Sequence, residues 1–278
     1  MSTPQSVADL LYLMACLRDE EHGCPWDIKQ TFDSIVPHTL EEAYEVADAI
    51  EKKDYAHLKE ELGDLLFQVV FYSQLGTENG YFTFNDITTT LVEKLVRRHP
   101  HVFPSGELYG DNQGISLSEE EISQIWEKIK QQERDDKAQD MADTSSFMSV
   151  LDDIPATLPA MQRAEKLQKR ASNVGFDWQE PLPVIEKVEE ELAELKEAMQ
   201  SQDPAKIQDE MGDVLFATIN LSRKLNVKSE MALRSANAKF TRRFQYIEAQ
   251  LQKQGIDFEA AALDQLEALW QQAKQGEE

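Results

Sequence analysis

The chain has 278 residues, enough for two domains of ordinary size, and its 41% hydrophobic content leaves material for real cores. Fifty-two acidic residues against 28 basic ones give a formal net charge of −24, which excludes a long nucleic-acid polymer as partner but not a small phosphate ligand held through cations. No apolar run reaches membrane-span length, the first 20 residues lack the pattern of a secretory signal, and Cys16 and Cys24 match no disulfide framework or zinc spacing; a reduced, cytoplasmic protein away from any membrane is expected.

In chain order, residues 39–52 place Leu40, Ala43, Val46, Ala47 and Ile50 at helical spacing. Asp54 is placed to cap a second helix over 55–75. That helix is apolar almost all round except for Glu61, Asp64 and Gln68, so it is expected to be buried with one polar stripe. Gly63 lies inside it, and a mid-helix glycine points to simple packing or to a close neighbour. Lys94 and Arg98 follow at i,i+4, a pair that reads alone as a solvated face. His99 and His101 flank Pro100 and read as structural or surface residues rather than ligands. Trp126 reads as a core residue or a platform for a base. The polar stretch after Gln131 looks like a tether, giving expected domains at 1–135 and 151–278 joined by a linker at 136–150.

The second half then repeats the first. Glu41-Glu42-x-x-Glu45 followed by Glu61-x-x-Asp64 recurs about 149 residues later as Glu190-Glu191-x-x-Glu194 followed by Glu210-x-x-Asp213. Sixteen residues separate Glu45 from Glu61, and sixteen separate Glu194 from Glu210. Gly212 repeats Gly63, Lys239 and Arg243 repeat Lys94 and Arg98, and Trp270 repeats Trp126. Asp203-Pro204 repeats the capping position of Asp54, while Lys206 stands where the first copy has His57. Two tandem copies of one helical unit follow, and no alternating strand pattern competes.

The spacing has a geometric meaning. Position 53 is the midpoint between Glu45 and Glu61, and position 202 the midpoint between Glu194 and Glu210. In an antiparallel helix pair turning at those points, both acids climb the same distance from the tip and face each other. The i,i+3 partners share their faces, so four carboxylates from two helices can converge on a cation. Such residues scattered on solvated faces are the plain alternative, and duplication at one spacing argues against it. Di-iron bundles need Glu-x-x-His, whereas the third position after each Glu here is Glu or Asp. All-oxygen ligation points to Mg²⁺, with Mn²⁺ as the alternative, and to phosphate chemistry. Neither a Walker loop nor a nucleophile elbow occurs in the sequence.

With these residues on the page, the chain resembles the MazG family of the all-α NTP pyrophosphatases. The resemblance rests on Gly23-Cys-Pro-Trp26-Asp27-x-x-Gln30-Thr31, Thr39-Leu-Glu-Glu-x-x-Glu45, Glu61-Leu-Gly-Asp64 and Arg97-Arg-His-Pro-His, and extends through Asn173-Val-Gly-Phe-Asp-Trp178 and the second acidic set. It implies two tandem all-α domains whose helix bundles are completed in a homodimer. It also implies Mg²⁺-dependent conversion of NTPs and dNTPs to monophosphate and pyrophosphate; a catalytically silent nucleotide-binding or dimerisation module is the alternative. Carried over, Glu42, Glu45, Glu61 and Asp64 hold metal in the first copy, and Glu191, Glu194, Glu210 and Asp213 in the second. The family's nucleotide contacts match Lys187, Val188, Glu189, Glu190 and Glu191, then Lys206, Ile207, Gln208, Asp209 and Asp213. They continue with Lys239, Phe240, Thr241, Arg242, Arg243 and Trp270, and by repeat with Lys94 and Arg98. Glu190 or Glu41 is expected to orient or deprotonate the attacking water, and the second copy, which keeps Lys206, is expected to be the active one.

Overall fold

A computed structural model describes residues 5–110, 113–140 and 149–276. The chain divides into two compact units, Met1–Asp143 and Thr144–Glu278. The expected linker at 136–150 begins inside a helix that runs to Asp140, and its residues 141–148 lie outside the described ones. Among the described residues every regular element is helical.

The first unit contains α1 (Val7–Leu17), α2 (Pro25–Ile28), α3 (Phe32–Glu51), α4 (Tyr55–Glu78), α5 (Phe84–Arg98) and α6 (Glu119–Asp140). Helix α3 starts seven residues before the expected 39–52 segment because Thr31 and Ser34 form a capping box, which sets the start ahead of Pro37. Asp54 caps α4, accepting from the His57 amide at 3.1 Å. Between the two helices Lys53 takes a left-handed conformation, φ 56°, and the Asp54 amide reaches back to the Ala49 carbonyl at 3.0 Å. That closure reverses the chain at the residue which the acidic spacing marks as the midpoint.

The second unit contains α7 (Ala160–Ser172), α8 (Leu182–Ser201), α9 (Pro204–Lys224), α10 (Ser229–Gln254) and α11 (Leu263–Gln275), with a 3-10 turn at Phe258–Ala260. Its α8–α9 hairpin repeats the α3–α4 device. Gln202 is left-handed at φ 55°, and Asp203 caps α9 by accepting from the Ala205 amide at 3.0 Å.

The first core gathers Met14, Ile35, Val70, Phe71 and Leu75. Against it lies Arg18, whose side chain is only 7% exposed. Its guanidinium grips Glu78 through Nε–Oε1 at 2.9 Å and Nη2–Oε2 at 2.6 Å. It also donates to the carbonyls of Asp27 and Gln30 and sits over the Phe71 ring, 5.2 Å from its centre. Burial raises the Glu78 carboxyl, but the bonds from Arg18 and Gln74 outweigh it and hold the group below its ordinary range. A second core in the C-terminal unit joins Ile247, Leu251 and Leu269, with Trp270 packed at its side.

The expectation of a fully buried second helix fails in a specific way. Within the chain, α4 buries Glu61, Gln68, Val70, Phe71 and Leu75, but Leu62, Leu66 and Val69 form an exposed stripe one helical face wide. Met211 and Leu215 on α9 repeat it. A Cβ built at Gly63 or Gly212 meets nothing within 4 Å, so no described residue makes a close approach at either glycine.

Candidate functional site

Each hairpin brings three of its four expected acids together, and Asp64 and Asp213 lie outside these trios. Carboxylate oxygens of Glu42, Glu45 and Glu61 lie within 4.8 Å of one another, and those of Glu191, Glu194 and Glu210 do the same. The first two of each set come from one helix at i,i+3 and the third from its antiparallel neighbour. Burial, then the charges of Asp64, Glu45 and neighbouring Glu61, raises the Glu42 carboxyl above its ordinary value. Burial likewise raises Glu61, partly offset by His57 and reinforced by Glu45 and Asp64. Glu194 rises through burial and through Glu191 and Glu210, against the pull of Lys187. Like charges driven this close ask for a cation between them. The donor atoms are all oxygens, so the set fits a hard divalent ion.

The two copies differ in their resident cations. Lys187 Nζ contacts Glu190 at 3.0 Å and Glu191 at 2.9 Å, and these two carboxylates push the ammonium pKa up. At the matching place in the first unit His38 faces Glu41 at 3.8 Å, and His57 Nε2 lies 2.6 Å from Glu61. The His57/Lys206 exchange was readable from the repeat; the His38/Lys187 exchange, at the same 149-residue offset, is a further signal that the sequence also carries.

Other sequence candidates sit apart from the acidic trios. Val188 and Glu189 lie on α8, and Lys206, Ile207, Gln208 and Asp209 occupy the start of α9 just before Glu210. Lys239, Phe240, Thr241, Arg242 and Arg243 belong to α10. There Phe240 packs on Trp270 with ring centres 5.3 Å apart, and Arg243 lies over the same indole at 5.6 Å. In the first unit Lys94 borders an apolar groove with Tyr72 and Phe82. Arg98 is held by Glu133 on α6, Nη2–Oε2 2.5 Å, and Arg97 binds the same carboxylate at 2.7 Å. The two guanidiniums, Arg98 first, hold the Glu133 carboxyl down at about 2. Trp126 packs edge-on to His99, 5.2 Å between centres, and His99 in turn faces His101.

Sequence reasoning assigned no role to a cavity of about 430 Å³ in the second unit. Lys187, Glu191 and Asp213 line it, together with the rings of Phe176, Trp178 and Phe216. Asp177, at its edge, is raised by burial but brought below its ordinary value by Arg223 at 2.6 Å and Lys224 at 2.7 Å. The segment Asn173–Trp178 had been singled out as a motif, but the partners that make it a wall lie about 46 residues away on α9. The arrangement sets acids and a lysine beside an open, aromatic-lined space, which suits a ligand with an anionic end and a flat apolar end.

Comparison with known proteins agrees with this geometry. The model of the MazG nucleotide pyrophosphohydrolase domain matches residues 30–103 and 179–247. A nucleoside triphosphate pyrophosphohydrolase of Escherichia coli K12 is 50% identical over 270 residues, covering 96% of this chain and 97% of its own. A Thermotoga maritima protein described as nucleoside triphosphate pyrophosphohydrolase/pyrophosphatase MazG is 44% identical, covering 97% and 96%. The crystal structure of a mazG-related protein from Thermotoga maritima aligns over 45% of this chain and 98% of its own, at 27% identity and a TM-score of 0.36. With the family model matched once in each half and two relatives similar along almost the whole length, the chain belongs to the MazG nucleotide pyrophosphohydrolase family.

Proposed function

We propose that this chain hydrolyses nucleoside and deoxynucleoside triphosphates to the monophosphate and pyrophosphate, and that the C-terminal unit does the work. The observation that carries the reading is the Glu191, Glu194 and Glu210 trio, whose Glu191 lines the aromatic cavity together with Lys187 and Asp213. Glu191, Glu194, Glu210 and Asp213 would hold Mg²⁺, or Mn²⁺ in its place, which supplies charge neutralisation at the triphosphate oxygens. Lys187 offsets the acids before substrate arrives and is positioned to donate to a phosphate oxygen. Glu190, exposed and bonded to Lys187, is the base we assign to orient the attacking water and accept its proton; Glu41 is its counterpart in the first unit. Lys206, Lys239 and Arg243 supply further cations for the phosphates.

The N-terminal unit is read as the copy that supports rather than hydrolyses, because it has His57 where the second unit keeps Lys206 beside the acidic pair. A second copy of the chain is assigned to cover the Leu62–Leu66–Val69 and Met211–Leu215 stripes, since contiguous exposed apolar faces of this kind mark association surfaces. A cytoplasmic enzyme without a nucleic-acid or membrane partner fits the acidic surface; no helix among the described residues is long and apolar enough to cross a membrane.

Product analysis decides the reaction. With Mg²⁺ and a panel of NTPs and dNTPs, pyrophosphate and monophosphate are expected in equal amounts. Orthophosphate as the first product would mean attack at a different phosphorus. Nucleotide binding with no product would leave the silent binding module instead. A Glu190→Gln variant with undiminished turnover would remove Glu190 from the role of base.

A further inference from the structure

We propose, resting on the reading of the C-terminal unit as the hydrolysing one, that Gln168 recognises the nucleobase, its Oε1 accepting a hydrogen bond from a base N–H. Gln168 on α7 lines the aromatic cavity and is only 7% exposed. Its Nε2 donates to the Phe216 carbonyl at 2.8 Å. A carbonyl can only accept, so this bond fixes which end of the amide faces α9 and leaves Oε1 as the free end. That Oε1 is buried and has no partner among the described residues. A buried acceptor left unpaired is costly, and such groups persist where a ligand completes them.

The order of groups along the cavity matches a nucleotide. Asp213 stands at the acidic end, and Phe216, Ala217 and Asn220 follow on the same helix. Seven residues of α-helix from Asp213 to Asn220 span about 10 Å. Gln168 is bonded beside Phe216, in the stretch walled by Phe176 and Trp178. Phosphate, sugar and base would therefore meet carboxylates, open space, and a flat apolar slot with one acceptor. Adenine, guanine, cytosine, uracil and thymine each carry at least one N–H, so one acceptor favours a base without choosing among them.

The N-terminal unit supports the assignment by contrast. Arg18 stands nine residues before Asp27, as Gln168 stands nine before Asp177. The arginine is spent within the chain, on Glu78 and on two loop carbonyls. One copy thus satisfies its polar group internally, and the other leaves a buried acceptor unpaired on a residue that lines a cavity.

The test compares kcat/KM of the full-length protein for ATP, dATP, UTP and purine riboside triphosphate, whose base has no N–H. The wild type is expected to use purine riboside triphosphate about tenfold less well than ATP, the effect of one buried hydrogen bond. Gln168→Met should lower ATP and UTP toward that level and leave purine riboside triphosphate nearly unchanged. Equal rates of the wild type with ATP and purine riboside triphosphate would overturn the proposal, whether or not the variant folds. A Gln168→Met loss shared by all four nucleotides, or confined to those with a 2′-hydroxyl, would overturn it too. Absence of turnover with every nucleotide would instead defeat the hydrolysis reading; equilibrium binding of ATP against purine riboside triphosphate then decides the role of Gln168.

Discussion

Replacing Arg18 with Gln would give the first unit the residue that the second unit carries nine positions before Asp177, as Arg18 stands nine before Asp27. The side chain loses three hydrogen bonds to Glu78 and its donation to the Asp27 and Gln30 carbonyls. Bonds between charged groups contribute about 1.5–3 kcal/mol each, and they are not additive. Glu78 is 32% exposed and regains water when released, which reduces its share to about 1 kcal/mol. The two carbonyls lose an ionic donor in a part-buried loop, about 1–2 kcal/mol together. The contact over Phe71 adds about 0.5 kcal/mol. The expected cost is about 3 kcal/mol, a fall of about 10 °C in the melting temperature of a unit this size. Circular dichroism melts of wild type and Arg18→Gln would measure it, with NTP hydrolysis assayed at 25 °C in parallel. If Arg18 acts only within the N-terminal core, kcat stays within about twofold while stability drops. A melting temperature lowered by less than about 2 °C, or a large loss of kcat at unchanged stability, would refute the reasoning.

Glu210→Ala/Asp213→Ala is expected to abolish turnover, whereas Glu61→Ala/Asp64→Ala leaves kcat within a few-fold; the reverse pattern in a pyrophosphate-release assay would exchange the roles of the two units. The Glu133 contribution is tied to pH. Its carboxyl is held at about 2 when folded, against 4.5 for an ordinary glutamate, so the stability it provides is complete above about pH 4.5 and disappears as pH falls toward 2. The melting-temperature gap between wild type and Glu133→Gln should therefore be constant above pH 5 and narrow below it; a gap independent of pH would contradict the pairing with Arg97 and Arg98. Leu66→Asp combined with Leu215→Asp should shift the chain from dimer to monomer in light scattering, and a wild type already monomeric at micromolar concentration would remove the assigned second copy. Lys53→Gly and Gln202→Gly, at left-handed positions, should each raise stability by about 0.5–1 kcal/mol in urea titrations.

What the sequence made legible was local and countable. The hairpin tips at 53 and 202 follow from the distance between acids, because helical rise is fixed and both arms must climb equally. The caps at Asp54 and Asp203 follow from side chains that reach amides two or three residues ahead. Burial of α4 was misjudged because an apolar face says that something covers it, not that the same chain does. The clamps were out of reach for another reason. Arg18 meets Glu78 sixty positions away, and Arg98 meets Glu133 thirty-five away. Periodicity contains nothing about which carboxylate a distant arginine will find. The Gln168 acceptor was hidden likewise, since its orientation depends on a main-chain carbonyl 48 residues downstream.

The left-handed turn at the tip of each hairpin has a consequence for how such a chain can change over time. Substitutions at Lys53 or Gln202 alter only a fraction of the turn's conformational strain, so many residues are acceptable there. A single inserted or deleted residue is different. It would rotate the faces of α4 or α9 by about 100° relative to α3 or α8 and carry Glu61 or Glu210 away from its partners. Drift at these tips should therefore be free in identity and frozen in length, so that across descendants of this repeat the sixteen-residue interval would outlast the residues within it.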